Sequence, residues 1–417
     1  MIDSTPALFL KGYDWLPGVY RRGGGDGPVE TRLLGRPVRV LRGPEAVAFF
    51  YDEGHARRSG ALPGPVLDTL FGRGAVHTLD GAAHRARKAL FLTRLTEPAA
   101  VEALTTQVCE EFRAALGGSG EREVVLFDEA ARVLARAVAG WLGLPGGDAE
   151  SADRLARDCV AMVDGFATAG PRHLRARRAR SRQEALLSEA VVAARTTPAD
   201  APWTPFEAVV THREADGTLL DAHTAAVELL NIARPTVALT WFVTFAAHAM
   251  SGSPAVRRRL ADGDAAFAVA FAHEVRRFYP FVPFVGALAT EGLVVAGAHV
   301  PPGTMLLLDV YGQNHDPELW EAPYRFLPDR FLGAPPHPDR LIPQGGGPRD
   351  GHRCPGEDIT VSVLAALSRE LARLAFTVPD QDLRIPLHRI PTRPRSGLRL
   401  VLSPRRRGGA AAPVPSP

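Results

Sequence analysis

Between Leu219 and Met250 apolar side chains recur at helical spacing for about thirty residues, and only Asp221, Glu228 and Arg234 carry charge. A helix of that length rises about 45 Å at about 1.5 Å per residue, the width of a whole domain, so the rest of the chain must pack around it. Its charge-free part, Pro235 to Met250, falls short of a membrane span and carries His248. A core helix with no membrane span is therefore expected.

Helical periodicity also marks Phe127 to Leu142, Ala149 to Ala169, Ala265 to Tyr279 and Asp358 to Ala375. From Pro98 the apolar positions Val101, Leu104, Val108, Phe112 and Leu116 make a further helix, with Thr96 available as cap and Gly117-Gly118 as stop. Strand patterns are short: Val29 to Gly43, paired about Gly35 after the Gly23-Gly24-Gly25 turn, then Val285 to Thr290, Leu293 to Val300, Met305 to Val310 and Leu398 to Leu402. The expectation is a mainly α fold with small β-sheets. At 417 residues the chain exceeds one ordinary domain, yet no strong linker divides it. We expect one catalytic domain over 1–403, with a β-rich and a helical lobe, and a disordered tail over 404–417.

Composition excludes several classes. Hydrophobic residues at 46% and charged residues at 23% are globular values, and 49 basic against 46 acidic residues leave only +3, without the clustered basic tract that nucleic acid would require. Cys109, Cys159 and Cys354 stand far apart with no CxxC, which speaks against disulfides and metal ribbons and for a reducing compartment. The opening MIDSTPALFL lacks the basic start of a signal peptide, so a cytoplasmic location is expected. No GxSxG elbow, GxxxxGK[ST] loop or GxGxxG turn occurs. His273-Glu274 opens like a zinc helix, but four residues on stands Arg277, which cannot ligate zinc.

One constellation survives this search. Pro343-Gln344-Gly345-Gly346-Gly347 and Gly351-His352-Arg353-Cys354-Pro355-Gly356-Glu357 run directly into an apolar helix. Glycines let amides approach a sulfur, and cationic neighbours with a helix start favour a thiolate suited to iron. A small buried hydrophobe is the plain alternative for a lone cysteine. Upstream, Glu274 and Arg277 share a helical face, and Arg330 follows in Pro328-Asp329-Arg330-Phe331. Singly these would be ordinary ion pairs.

In this order and spacing the three elements resemble the cytochrome P450 superfamily over essentially the whole chain, which implies haem b held by Cys354, with Glu274, Arg277 and Arg330 structural. The resemblance narrows further. Where oxygen-activating members carry an acid-threonine pair in the central helix, this chain has Asn231-Ile232-Ala233-Arg234-Pro235-Thr236-Val237. That is similar to the fatty-acid peroxygenase and decarboxylase subfamily, as are Thr69-Leu70-Phe71-Gly72, His77-Thr78-Leu79-Asp80-Gly81, Phe166 to His173, Tyr279-Pro280-Phe281 with Phe284, and the lengthened cysteine loop.

The subfamily resemblance implies hydrogen peroxide as co-substrate, a long-chain fatty acid whose carboxylate is gripped by Arg234 and supplies the missing acid-base function, and no required redox partner. Products would be 1-alkenes, 2- or 3-hydroxy acids, or both. A guanidinium in an apolar helix needs an anion, and pairing with Glu228 or Asp221 is the structural alternative. Pro235 should kink the helix. His77, at a position where the subfamily has glutamine or histidine, would exchange a proton near neutral pH. Leu70, Phe71, Val163, Phe166, Phe281 and Phe284 would line the alkyl channel, with plain core as the alternative. His84, Lys88, Arg58 and His352 would anchor the haem propionates, with solvated cations as the alternative. Two rival readings share the fold: a monooxygenase fed by a redox partner, and a non-catalytic haem- or fatty-acid-binding protein.

Overall fold

A computed structural model of the chain describes residues 3–403 apart from 24–27, 119, 147, 167, 197–203, 296 and 334. The tail expected over 404–417, Gly24 and Gly25 of the glycine turn, and Ala167 lie outside the described residues.

The expected helices form at Pro98–Leu116, Leu126–Leu142, Ala149–Gly165, Ala265–Phe278 and Glu357–Arg373. Leu126–Leu142 shows why: Phe127, Ala130, Ala131, Leu134, Ala137, Val138 and Leu142 are buried at helical spacing, and Gly143 ends it at φ 74°. Thr96 does not cap the start of Pro98–Leu116 but stands at the C-terminal end of the helix before it, Gly81–Leu95. Its hydroxyl donates back to the Leu92 carbonyl at 2.6 Å, and Pro98 begins the helix after Glu97 without a side-chain cap.

The long central run is two helices, Ala222–Val237 and Leu239–Ser251, separated by Ala238 alone. Asp221 caps the first by accepting from the Thr224 N–H. Pro235 has no N–H to return to the Asn231 carbonyl, and the helical pattern lapses three residues later. Taken together, Ala222–Ser251 is longer and more apolar than its charge-free part suggests, with mean hydropathy 1.3, enough by length and composition to cross a membrane. It lies in the core instead: 94% of that window is buried, and from Ala225 to Ala247 only Pro235 is exposed. Helices Leu126–Leu142, Ala149–Gly165 and Pro171–Thr196 pack against it.

Pro171–Thr196, 26 residues long, was not expected as a helix. Its buried face is Ala176, Ala179, Arg180, Gln183, Leu187 and Val191, a correct helical spacing made largely of alanine and polar residues. The main β-sheet orders as Val29–Leu33, Arg36–Leu41, Met305–Leu308, Val285–Ala289 and Ala56–Arg57. Arg36–Leu41 runs parallel to Met305–Leu308, with Val40 opposite Leu307, and the other pairings are antiparallel. Arg399–Leu402 joins Arg122–Val125 and Phe376–Thr377 in a second sheet. The main sheet covers Leu41, Val47, Phe50, Leu306 and Ile342 on one side, and Trp15, Leu16, Val38 and Leu307 on the other. Each such side chain contributes roughly 1.5–3 kcal/mol by burial.

Candidate active site

The cysteine loop is built to bring backbone close. Gly345 and Gly347 take φ of 89° and 75°, and a Cβ on Gly347 would come within 2.5 Å of the Tyr51 Cβ. The Cys354 N–H donates to the Gln344 carbonyl at 3.2 Å, and the Gln344 side chain, 3.7 Å from the thiol, donates to Thr360 Oγ1 at 2.9 Å. Burial is the larger influence on the Cys354 thiol and pushes its pKa up, against the Gly356 N–H and Lys88, which pull it down. The neighbours act in the expected direction but do not outweigh burial, and a bound metal cation would add the larger pull toward the thiolate.

Below the loop sits a buried charge network. Glu274 and Arg277, both fully buried, join by two bonds of 2.7 and 2.8 Å, and Arg330 Nε lies 3.2 Å from Glu274 Oε2. The Leu327 N–H adds a bond of 2.7 Å to Glu274, while Arg277 reaches the carbonyls of Asn314 and Pro323. Glu274 and Arg277 thus each have several partners, as burial demands. Arg276, equally buried, ties Gln344 at 3.0 Å and Glu357 at 2.5 Å to the helix before the loop. Sequence reasoning passed over Arg276 and Gln344.

On the other side of Cys354 is a group of basic side chains with few anions. Arg58 Nη1, His84 Nδ1 and His352 Nε2 are buried without a hydrogen-bond partner among the described residues. The His84 and His352 rings stack at 3.8 Å, and His352 stands 3.7 Å from Asp80, which accepts the N–H groups of Arg58 at 2.7 Å and Ser59 at 2.8 Å. Lys88 donates to the carbonyl of Arg353, the residue before Cys354 in the loop. Burial pulls His84 down to about 3 and Lys88 down to about 8. A soft sulfur flanked by the basic side chains of Arg58 and Lys88 and by unpartnered imidazole nitrogens of His84 and His352 is the donor set that an iron porphyrin with two propionates requires, so the residues present fit haem.

The first half of the central helix supplies the opposite wall. Arg234 is 6% exposed and has no carboxylate partner among the described residues. Its Nη2 donates to Asn231 Oδ1 at 3.0 Å and its Nε has no partner. Burial, with Arg180 nearby, lowers its pKa to about 9. Neither Glu228 nor Asp221 pairs with it directly: Glu228 is held by Arg87 and Asp221 by the helix start. The Phe71 ring lies 5.6 Å from the Arg234 guanidinium and 4.4 Å from the His77 ring, so these three residues, 163 positions apart at the extremes, form one group. Burial, then Arg234 and Lys88, holds the His77 pKa well below the ordinary value. His77 is therefore neutral, not a group that titrates near pH 7.

The expected channel residues divide. Leu70 and Val163 are buried and Phe71, Phe166 and Phe281 half-buried, all in the large helical core, with Phe281 against Phe242 at 4.9 Å. Phe284 instead packs edge-on against Trp15 at 5.7 Å, within the cluster beneath the sheet. The Leu70 and Phe71 carbonyls are clamped by Arg180 at 2.5 and 3.0 Å, a contact with no signal in the sequence.

With this geometry in place, comparisons with known proteins are unambiguous. The Cytochrome P450 family model matches residues 266–399. Cytochrome P450SP alpha (CYP152B1) is 37% identical, over 96% of this chain and 98% of that one, with a TM-score of 0.91. Cytochrome P450EX alpha (CYP152N1) with myristic acid is 36% identical, over 96% and 97%, at 0.91. Cytochrome P450 OleT in complex with arachidonic acid is 33% identical, over 96% of both chains, at 0.91. Among curated relatives, cytochrome P450 137 of Mycobacterium tuberculosis is 31% identical over 170 residues, 40% of this chain and 35% of that protein. Cytochrome P450 4A11 of Homo sapiens is 33% identical over 132 residues, 31% and 25%. The matched segments thus span about a third or less of those curated relatives, but nearly all of the solved structures.

The chain belongs to the cytochrome P450 family of haem-thiolate oxidoreductases, and within it to the group of the CYP152 structures.

Proposed function

We propose that the protein oxidises long-chain fatty acids at Cα or Cβ with hydrogen peroxide. The observation that carries this reading is Arg234: a buried guanidinium with no carboxylate partner among the described residues, beside Pro235, at the point where an acid-threonine pair is absent. The myristic and arachidonic acids bound to the neighbouring enzymes support the substrate class. Haem bound through Cys354 supplies the two-electron oxidation chemistry driven by peroxide.

The chain's own residues supply the rest. Arg234 Nε and Nη1 grip the substrate carboxylate, whose protonation then serves the acid-base step that other members assign to a side chain. Phe71, Val163, Phe166 and Phe281 exclude water from the alkyl chain, and neutral His77 offers one N–H and one lone pair beside the carboxylate. Hydroxylation balances as RCH2COOH + H2O2 → RCH(OH)COOH + H2O. Decarboxylation balances as RCH2CH2COOH + H2O2 → RCH=CH2 + CO2 + 2 H2O.

Redox-partner dependence has less support. Near the cysteine loop Arg349 pairs with Asp358 and Arg353 with Glu357, which reduces the field available to steer an electron-carrier protein. A cytoplasmic setting suits three unpaired cysteines. The test is haem-loaded protein with a saturated long-chain acid and hydrogen peroxide, without reductase, and mass detection of every product. A 1-alkene one carbon shorter, or 2- or 3-hydroxy acid, is the expected result. No product returns the redox-partner or the non-catalytic binding reading.

A further inference from the structure

We infer that Glu228 is a positioning residue that aims Arg234 at the substrate carboxylate and locks the His77 turn to the central helix through the same buried carboxylate. This rests on the reading of Arg234 as the carboxylate grip.

The geometry is a relay of single-valued hydrogen bonds. Glu228 is fully buried, nearly two turns into the central helix. Its Oε1 accepts the Val76 N–H at 2.7 Å, at the start of the turn Val76–Thr78 that carries His77, and Arg87 Nη1 at 2.7 Å. Its Oε2 accepts Asn231 Nδ2 at 3.1 Å, one turn further along the helix. Asn231 Nδ2 spends its other hydrogen on the Phe71 carbonyl at 3.0 Å, and Asn231 Oδ1 accepts Arg234 Nη2 at 3.0 Å.

The amide orientation of Asn231 follows from chemistry. Both partners of its nitrogen, a carboxylate and a carbonyl, can only accept, so a flipped amide would set oxygen against oxygen twice. With the amide fixed, its oxygen must face the guanidinium, and Arg234 is held by one amine while Nε keeps no partner. Arg87 balances the Glu228 charge and also pairs with the partly exposed Glu214. The carboxylate thereby stays ionised and acceptor-only, although burial pushes its pKa up. Glu228 does not neutralise Arg234, because a neutral bridging amide stands between them. The guanidinium is aimed while its charge stays available for a substrate anion. The same carboxylate ties together the two walls that bear Phe71, His77 and Arg234, so it acts on where the acid sits, without touching it.

Spectral titration of the haem-loaded enzyme with myristic acid, in a double-mutant cycle, tests this. Glu228→Gln gives Asn231 a competing N–H, and we expect Kd for the acid to rise about tenfold and the KM with it, with kcat changed less. Asn231→Leu cuts only the link, leaves the Val76 and Arg87 bonds on Glu228, and should give the same rise even if Glu228→Gln folds poorly. In an Arg234→Met background neither change should weaken the residual binding further. Wild-type affinity in Asn231→Leu overturns the inference, and so does a tenfold loss that persists without Arg234, which would mark a merely structural role. Wild-type affinity in Arg234→Met alone would refute the carboxylate-grip reading itself.

Discussion

Arg234→Met should make the protein more stable and unable to use its substrate. Holding this guanidinium charged with its pKa pulled well below that of an exposed arginine, to about 9, corresponds to a penalty of at most ~5 kcal/mol at about 1.36 kcal/mol per unit. Methionine forfeits the bond to Asn231 and leaves that oxygen unsatisfied, together about 2–3 kcal/mol. The balance favours the variant by roughly 2–3 kcal/mol. With an unfolding entropy of about 2.1 cal/mol/K per residue, ~0.9 kcal/mol/K for 417 residues, the melting temperature should rise by about 2–4 °C. The pH dependence has a definite sign. The folded pKa lies below the unfolded one, so the penalty is complete at pH 7 and fades as pH rises above about 9, where only the unfolded chain keeps the proton. The gap between variant and wild type should narrow there. Scanning calorimetry of both haem-loaded proteins, with and without myristic acid, reads all of this. Acid at a hundred times its Kd should stabilise the wild type by ~2.7 kcal/mol and the variant hardly at all. A variant that melts lower than wild type without acid, yet still gains from it, would refute the claim that Arg234 is a charge kept for a ligand.

Replacing Glu274 by Gln strips Arg277 and Arg330 of the one buried carboxylate they have among the described residues and should cost about 3–5 kcal/mol, measured as a lowered urea midpoint and poorer haem retention. The depressed pKa of His77 means that the unfolded chain takes up a proton below about pH 6.5 which the folded chain refuses, so stability falls with pH through that range. His77→Gln should abolish that share, up to ~2 kcal/mol by pH 5, and leave the pH-activity profile without a lost break near 6.5; an unchanged acid sensitivity in urea titrations would contradict a neutral His77. Gly72→Ala places a Cβ against the Arg180 guanidinium and 2.7 Å from Val227 Cγ1, at a φ of 88°. We expect at least ~1–2 kcal/mol of lost stability and a weakened acid affinity, since the Leu70-Phe71 carbonyls lose their clamp.

Reading the sequence located the parts whose signal is local. Apolar spacing found the central helix and the helices Pro98–Leu116 and Leu126–Leu142 because their buried faces are made of large aliphatic and aromatic residues. The helix Pro171–Thr196 escaped because its inner face is alanine, Gln183 and Arg180, whose burial depends on partners far away in the chain. The same distinction runs through the site. Cys354, the Glu274–Arg277 pair and Arg234 announce themselves by spacing or by a charge in an apolar helix. Arg180, Arg276 and Arg87 look like any of the chain's many arginines until the fold buries them against carbonyls and carboxylates. Glu228, six residues before Arg234 and off its helical face, makes no direct contact with it. What the spacing hid is that Asn231 stands three residues from each and connects them.

The two ends of the site pose one physical problem in opposite signs. On the Cys354 side burial keeps a thiol protonated and cationic groups depressed; on the Arg234 side it strands a guanidinium. Other buried carboxylates are well matched, as at Glu274 with three donors or Asp158 with Arg182 and Gln183. The unpartnered nitrogens of Arg58, His84, His352 and Arg234 are those that ligands at the two ends of the site would complete. A porphyrin's propionates and iron answer the first set, and a fatty-acid carboxylate answers the second. Since each ligand relieves a charge of its own, binding of the acid should tighten the distal wall without altering Cys354, and the Asn231–Glu228 link confines that response to Phe71, His77 and Arg234.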